Sequence, residues 1–200
     1  MTPDRSRRRD ARENAEKLRS AALEAFLADG LGAPLEAIAR AAGVKVGTLY
    51  NHFGNREGLI DAVVPEVLAR RLLEVTDTAR SQETARDRLD TFVRLMIDLL
   101  EREPALSDAL LRRYPEAGAL SDVCERNAAI ARTLVHDAHR SGSLAESCSA
   151  EDVLALIWLA AAASRATPTN PGWRRVIDRA MASAWTAPDE PARSATGRAR

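Results

Sequence analysis

Two short apolar-striped segments joined through Gly43 constrain this chain more than any other feature of its sequence. In "LEAIARAAG", Leu35, Ile38, Ala39 and Ala42 fall on one stripe, with Pro34 at the first helical position and Gly43 just past the end. In "VGTLYNHF", Val46, Leu49 and Phe53 share a face while Gly47, Thr48 and Asn51 point away from it. The pattern is helix, glycine turn, helix. A preceding amphipathic helix, marked by Leu18, Ala22, Ala25 and Phe26 and stopped at Gly30, supplies the apolar surface against which Ile38, Ala39, Leu49 and Phe53 lock.

Beyond Asn55 the same periodicity continues through "REGLIDAVVPEVLARRLLEVTDTAR", where Pro65 lacks an N–H and should end, restart or kink the helix. The spacing predicts one long, bent connecting helix there. Further amphipathic runs cover 85–103, 104–115, 118–142, 149–167 and 172–185, and no alternating strand pattern bounded by hairpin turns interrupts them. The chain is therefore read as all-α, with a small N-terminal helical trio and a larger C-terminal bundle. With 46% hydrophobic and 29% charged residues it lies in the globular range and can build a real core.

The 29 basic and 29 acidic residues cancel, so any charged partner must be argued locally. Only Lys17 and Lys45 are lysines, an arginine bias spread along the whole chain and reflecting GC-rich codon usage rather than a nucleic-acid-binding composition. Cys124 and Cys148 stand far apart, and the charged first residues are unlike a secretory signal, which together fit a reducing cytoplasm. The longest apolar stretch, "DVLALIWLAAAAS", falls short of the roughly 20 residues that cross a bilayer and reads as a buried helix, so no membrane partner is expected.

A helix, a glycine turn and a second helix form the layout of a helix-turn-helix, whose second helix enters the DNA major groove. Lys45, Thr48 and Asn51 project from the start and middle of that helix and can reach bases or phosphates. The same spacing also describes a tight helical corner with a solvated polar face, and by itself leaves both readings open.

The surrounding residues extend the pattern. "EAFLADG", "IARAAGV", "GTLYNHF" and "NREGL" together make residues 13–63 resemble the DNA-binding domain of the tetracycline-repressor (TetR) family of bacterial transcription regulators. The resemblance implies that Lys45, Val46, Gly47, Thr48 and Asn51 face the major groove, with Tyr50, His52 and Arg56 toward the phosphates. The chemistry agrees. Asn51 can bond adenine in bidentate fashion or a phosphate, Lys45 can bond guanine or phosphate, and Thr48 offers a hydroxyl and a thymine-sized methyl contact. Gly47 permits close backbone approach, Tyr50 and His52 present O–H and N–H donors, and Arg56 opens the next helix beside its favourable dipole. Packing of His52 and Tyr50 with internally bonded polar tips is the alternative.

The chain departs from the family pattern in two places. The Thr or Ser that usually caps the second helix and bonds a phosphate is absent; the loop is one residue shorter and Leu35 stands near that place, leaving only backbone N–H groups of residues 35–37 to serve. The usual Lys at position 56 is Arg, which keeps the charge and adds bidentate capacity.

Ahead of the domain, "RSRRRDAR" sets Arg5, Arg7, Arg8, Arg9 and Arg12 against Asp10, either as a basic arm for an adjacent minor groove or as a solvated tail. In the C-terminal half, "DVLALIWLAAAAS" and "WRRVIDRAMASAW" resemble the two family helices that pair with their mates in a four-helix dimer interface, although a wholly intramolecular core helix has the same periodicity. The family also implies a cavity for a small-molecule effector, with Phe92, Met96, Leu99, Tyr114, His136 and Trp158 as lining residues that ordinary core packing explains equally well. Cys124, His136, His139 and Cys148 are zinc-capable but lack the tight spacing of a zinc site, and neither a phosphate loop nor a nucleophile elbow is present, so no metal, cofactor or enzyme activity is expected.

These readings divide the chain into a flexible basic arm (1–12), a helix-turn-helix DNA-binding domain (13–63), a helical ligand-binding and dimerisation domain (64–186) and a disordered tail (187–200). The function expected is a homodimeric, effector-released repressor on palindromic operator DNA; a helical ligand-binding or protein-interaction module that has lost DNA binding is the alternative.

Overall fold

The computed structural model describes residues 3–111, 114–166 and 172–186. The described chain is helical, in the order α1 (Pro3–Asp29), α2 (Leu35–Ala41), α3 (Val46–Phe53), α4 (Arg56–Arg80), α5 (Ala85–Arg102), α6 (Pro104–Leu111), α7 (Gly118–Arg140), α8 (Ala150–Ala166) and α9 (Gly172–Ala184). The all-α expectation holds, with a helix-turn-helix at the N-terminus and a bundle behind it.

In the N-terminal trio, Leu18, Ala22 and Phe26 of α1, Leu35, Ile38 and Ala39 of α2 and Leu49 of α3 are all buried together with Leu59 and Ile60 of α4. Helices of seven and eight residues are marginal in isolation, so it is this shared burial that stabilises α2 and α3. Their junction is a Schellman turn: Gly43 adopts φ +69°, its N–H donates to Arg40 O, and the Val44 N–H donates to Ala39 O at 3.0 Å. Pro34 lies just outside α2 as its N-cap, with ψ 128°, rather than inside the first turn.

Helix α4 passes through Pro65 without a break. The lost N–H disfavours the helix interior by about 3 kcal/mol, but Leu59, Ile60, Val63 and Val64 before it and Leu68, Leu72 and Val75 after it are buried on one continuous stripe that outweighs the loss. Against this stripe pack α5, through Phe92, Met96 and Leu100, and α7, through Leu134, Val135 and Ala138; α8 closes the bundle with Val153, Ile157, Ala160 and Ala161. The end of α9 is tied to the α7–α8 turn by Ala145 N–H to Ala184 O at 2.9 Å and Thr186 N–H to Ser143 O at 3.1 Å.

Two boundaries differ from expectation. Among the described residues α1 runs from Pro3, so residues 3–12 of the stretch expected as a flexible arm are helix. The run expected as helix to 115 has left the helix at Tyr114 and Pro115, with α6 described over Pro104–Leu111. The expected C-terminal tail, 187–200, lies outside the described residues.

Polar contacts fasten the trio to the bundle at two places. On α6, Asp108 is buried and accepts the Leu31 N–H at 3.2 Å, while Arg165 of α8 bonds its other oxygen at 2.6 Å. Gly30, at φ +79°, makes room for this approach, since an added Cβ would lie 3.0 Å from the Asp108 carboxylate. At the start of α4, Asn55 Nδ2 donates to Glu116 at 2.6 Å, Glu57 accepts the Glu116 N–H at 2.9 Å and Asp61 accepts the Leu120 N–H at 2.9 Å. The α6–α7 connection is thus bonded along the first turns of α4.

Candidate nucleic-acid interface

Helix α3 is set by one buried anchor. Leu49 is fully buried, Val46 and Phe53 are half-buried against the same core, and the opposite face is open. Lys45, Gly47, Tyr50, Asn51 and His52 are exposed and Thr48 is half-buried. The packed alternative for His52 and Tyr50 is not what the fold adopts: Tyr50 retains 45% of its accessible surface. Among the described residues, the side chains of Lys45, Thr48, Tyr50, Asn51 and His52 make no hydrogen bond or ion pair, so their donors and acceptors are available outward. A Cβ added at Gly47 would meet nothing within 4 Å, so packing inside the chain does not require glycine there. What glycine provides is a bare stretch of helix backbone facing out.

Arg56, expected toward the phosphates, also has partners inside the chain. It is half-buried, and its Nη1 donates to Leu31 O at 3.0 Å and to Ala33 O at 2.7 Å, closing the α1–α2 loop onto α4. At the start of α2 no side chain caps the helix, and the Ala37 and Ile38 N–H groups return to Pro34 O at 3.1 Å. The amides left for an anion are therefore those of Leu35 and Glu36, with the Glu36 carboxylate beside them.

Two residues that position this surface escaped the sequence reading. Asn55 caps α4, its Oδ1 accepting the Gly58 N–H at 2.8 Å. Gly58 lies so close to the end of α3 that an added Cβ would sit 2.0 Å from Phe53 O. The signal was available, since Asn followed by a helix-starting run marks an N-cap, whereas the close approach at Gly58 depends on tertiary geometry.

A second concave region lies between α6, α7 and α8. This cleft of about 520 Å³ is lined by Ala109, Leu110, Tyr114, Pro115, Leu120, Ser121, Cys124, Glu125, Ala128 and Trp158. Of the six residues expected to line an effector cavity it gathers only Tyr114 and Trp158. Phe92 and Met96 are buried core, Leu99 packs half-buried against that core, and His136 is exposed on α7. Periodicity could not separate a core-facing residue from a cavity-facing one on the same stripe. Burial pushes the Cys124 thiol above its ordinary range. His139 contacts the carbonyls of Ala145 and Cys148 at 3.2 and 3.0 Å and so holds the α7–α8 turn. Among the described residues no group of three or more His, Cys, Asp or Glu side chains could hold a metal ion, and no helix is long and apolar enough to cross a membrane.

Residues 18–63 match the family model for bacterial regulatory proteins of the tetR family. Among solved structures, the TetR transcriptional regulator SCO0520 from Streptomyces coelicolor is 28% identical with a TM-score of 0.52, over 86% of this chain and 99% of that one. The TetR transcription regulatory protein from Mycobacterium vanbaalenii is 27% identical with a TM-score of 0.52, covering 90% and 99%. The regulator FadR from Bacillus subtilis, solved in complex with stearoyl-CoA, shares the fold at 17% identity with a TM-score of 0.60, covering 84% and 96%. No curated protein sequence matches the chain.

Proposed function

We propose that the chain, whose residues 18–63 match the tetR family model, is a TetR-like DNA-binding regulator that acts as a cytoplasmic homodimeric repressor, released from a palindromic operator by a small-molecule effector. The observation that carries the DNA-reading part is the outward face of α3, where Lys45, Gly47, Asn51 and His52 are exposed around a single buried leucine. In this reading Lys45, Gly47, Thr48 and Asn51 meet base edges, Val46 offers its methyls to a thymine, and Tyr50 and His52 meet phosphates. Arg56 acts from behind, holding the α1–α2 loop.

Dimerisation is supported by the apolar surface left on the last two helices: Trp158 and Leu159 of α8 are 50% and 64% exposed, and Val176 of α9 is 55% exposed. Exposed apolar groups of this size on adjacent helices suit a self-complementary two-fold interface.

The effector is assigned to the cleft beside Tyr114 and Trp158. Tyr114, Pro115 and Leu120 line it, while Glu116 and Leu120 in the same segment are bonded to Glu57 and Asp61 at the start of α4. A ligand that shifts this segment moves the helix carrying Arg56, and whatever affinity it gains for the shifted state is lost by DNA.

A footprint and a binding titration on the DNA upstream of its own gene test the reading. A two-fold symmetric protected site with salt-sensitive affinity is expected. Absence of any sequence-preferring complex from the dimer overturns it.

A further inference from the structure

We propose that the first turns of α1 form a second DNA-contacting element, a basic helix laid along the phosphate backbone rather than an arm threaded into the minor groove. The inference rests on the DNA-binding reading above and extends it to a segment outside the helix-turn-helix. Residues 3–12 hold five arginines against two aspartates in a chain whose net charge is zero. Arg8 and Arg9 stand four and three residues before Arg12, the spacing that places them on one side of a helix.

Helix α1 reaches Pro3, while its first buried residue among those described is Leu18, so this stretch projects from the domain. Arg9 and Arg12 are exposed and, among the described residues, donate no hydrogen bond; Glu13 pairs with Lys17 at 2.8 Å, and Arg9 adds a smaller attraction to the same carboxylate, which together hold it below its usual range. Like charges at this spacing repel one another, and a polyanion relieves the repulsion.

The direction of the projection ties it to the recognition helix. Glu13, Glu16, Lys17 and Glu24 of α1 share a surface hollow with Ala42 and Gly43, so the turn that starts α3 lies alongside the middle of α1, and Arg9 and Arg12 precede that stretch on the same helix. A helix with side chains is about 10–12 Å across, whereas the minor groove is about 6 Å wide. In helical form the segment therefore meets phosphates, which contribute position and affinity but no sequence information.

The test compares full-length wild type, the double variant Arg9→Ala/Arg12→Ala, the double variant Arg9→Lys/Arg12→Lys, and a charge-matched control, Arg126→Ala/Arg140→Ala on exposed positions of α7. Each is titrated against the operator and an unrelated duplex over a range of salt. Loss of each phosphate contact lowers the slope of log Kd against log salt by about 0.9, so the alanine variant should lose about two per protomer, equally on both duplexes. The lysine variant and the control should keep the wild-type slope. Amide exchange over residues 5–12 should slow on DNA binding, as expected for a helix held on the backbone.

An unchanged slope in the alanine variant, with wild type binding normally, overturns this inference alone. Affinity that tracks the A·T content of the flanks, or displacement by netropsin, also overturns it by pointing to the minor groove. Failure of wild type to bind any duplex takes down the DNA-binding reading and this extension together.

Discussion

Asn51 and Arg56 sit five positions apart, yet the fold gives them opposite surroundings. Asn51 is exposed and makes no internal hydrogen bond among the described residues, so Asn51→Ala should leave Tm unchanged while relaxing base preference at one operator position by about 1–3 kcal/mol, read by titration against point-substituted operators. Arg56 holds two loop carbonyls, so Arg56→Ala should lower stability by about 1–2 kcal/mol in urea unfolding and weaken DNA binding with it. A role confined to phosphate would leave the unfolding midpoint where it is. Gly58→Ala brings a methyl against the Phe53 carbonyl, a backbone atom that cannot swing aside. We expect it to cost about 1–3 kcal/mol and to abolish operator binding, because the junction between α3 and α4 must open to accept it. These three residues also mark how far the sequence reaches. The outward set on α3 was legible because it depends on helical period alone, whereas the partners of Arg56 and the neighbour of Gly58 lie across a tertiary contact that no local pattern encodes.

At the level of elements, α2, α3 and α5 appear where apolar spacing and glycine stops place them, and the departures have particular causes. The long helix read across Pro65 is continuous, with buried residues on both sides of the proline. The Arg-rich stretch read as an arm because charge runs resemble solvated tails, while its backbone continues α1. Of the residues expected to line a cavity, Tyr114 before α7 and Trp158 within α8 border the cleft, which helical period alone does not distinguish from core packing. Asp108 was not singled out at all, since one aspartate in an amphipathic run carries no signal of burial. Its prediction is correspondingly sharp. Asp108→Ala should destabilise by about 1–3 kcal/mol by stranding the Leu31 N–H, whereas Asp108→Asn retains an acceptor and should recover part of that loss while still losing the charge opposite Arg165. Urea unfolding of the pair distinguishes the two contributions.

For the whole molecule, Trp158, Leu159 and Val176 are exposed on α8 and α9, as Leu27 and Leu73 are on α1 and α4, and the exposed polar face of α3 lies elsewhere in the chain, so the proposed association and DNA reading fall on different elements. Leu159→Glu places a charge on the exposed face of α8 and should yield a folded monomer by light scattering, with operator affinity reduced at least tenfold because a single half-site remains engaged. A dimer that persists unchanged would exclude this face. Between the two ends lies Leu31, whose N–H is held by α6 and whose carbonyl is held by α4. The two peptide groups on either side of this one residue are thus clamped by a helix that borders the cleft and by the helix that follows α3, which makes its amide proton a built-in gauge. In a proton–nitrogen correlation spectrum, the Leu31 cross-peak should shift with each addition of an effector that moves α6 relative to α4, as the proposed release requires.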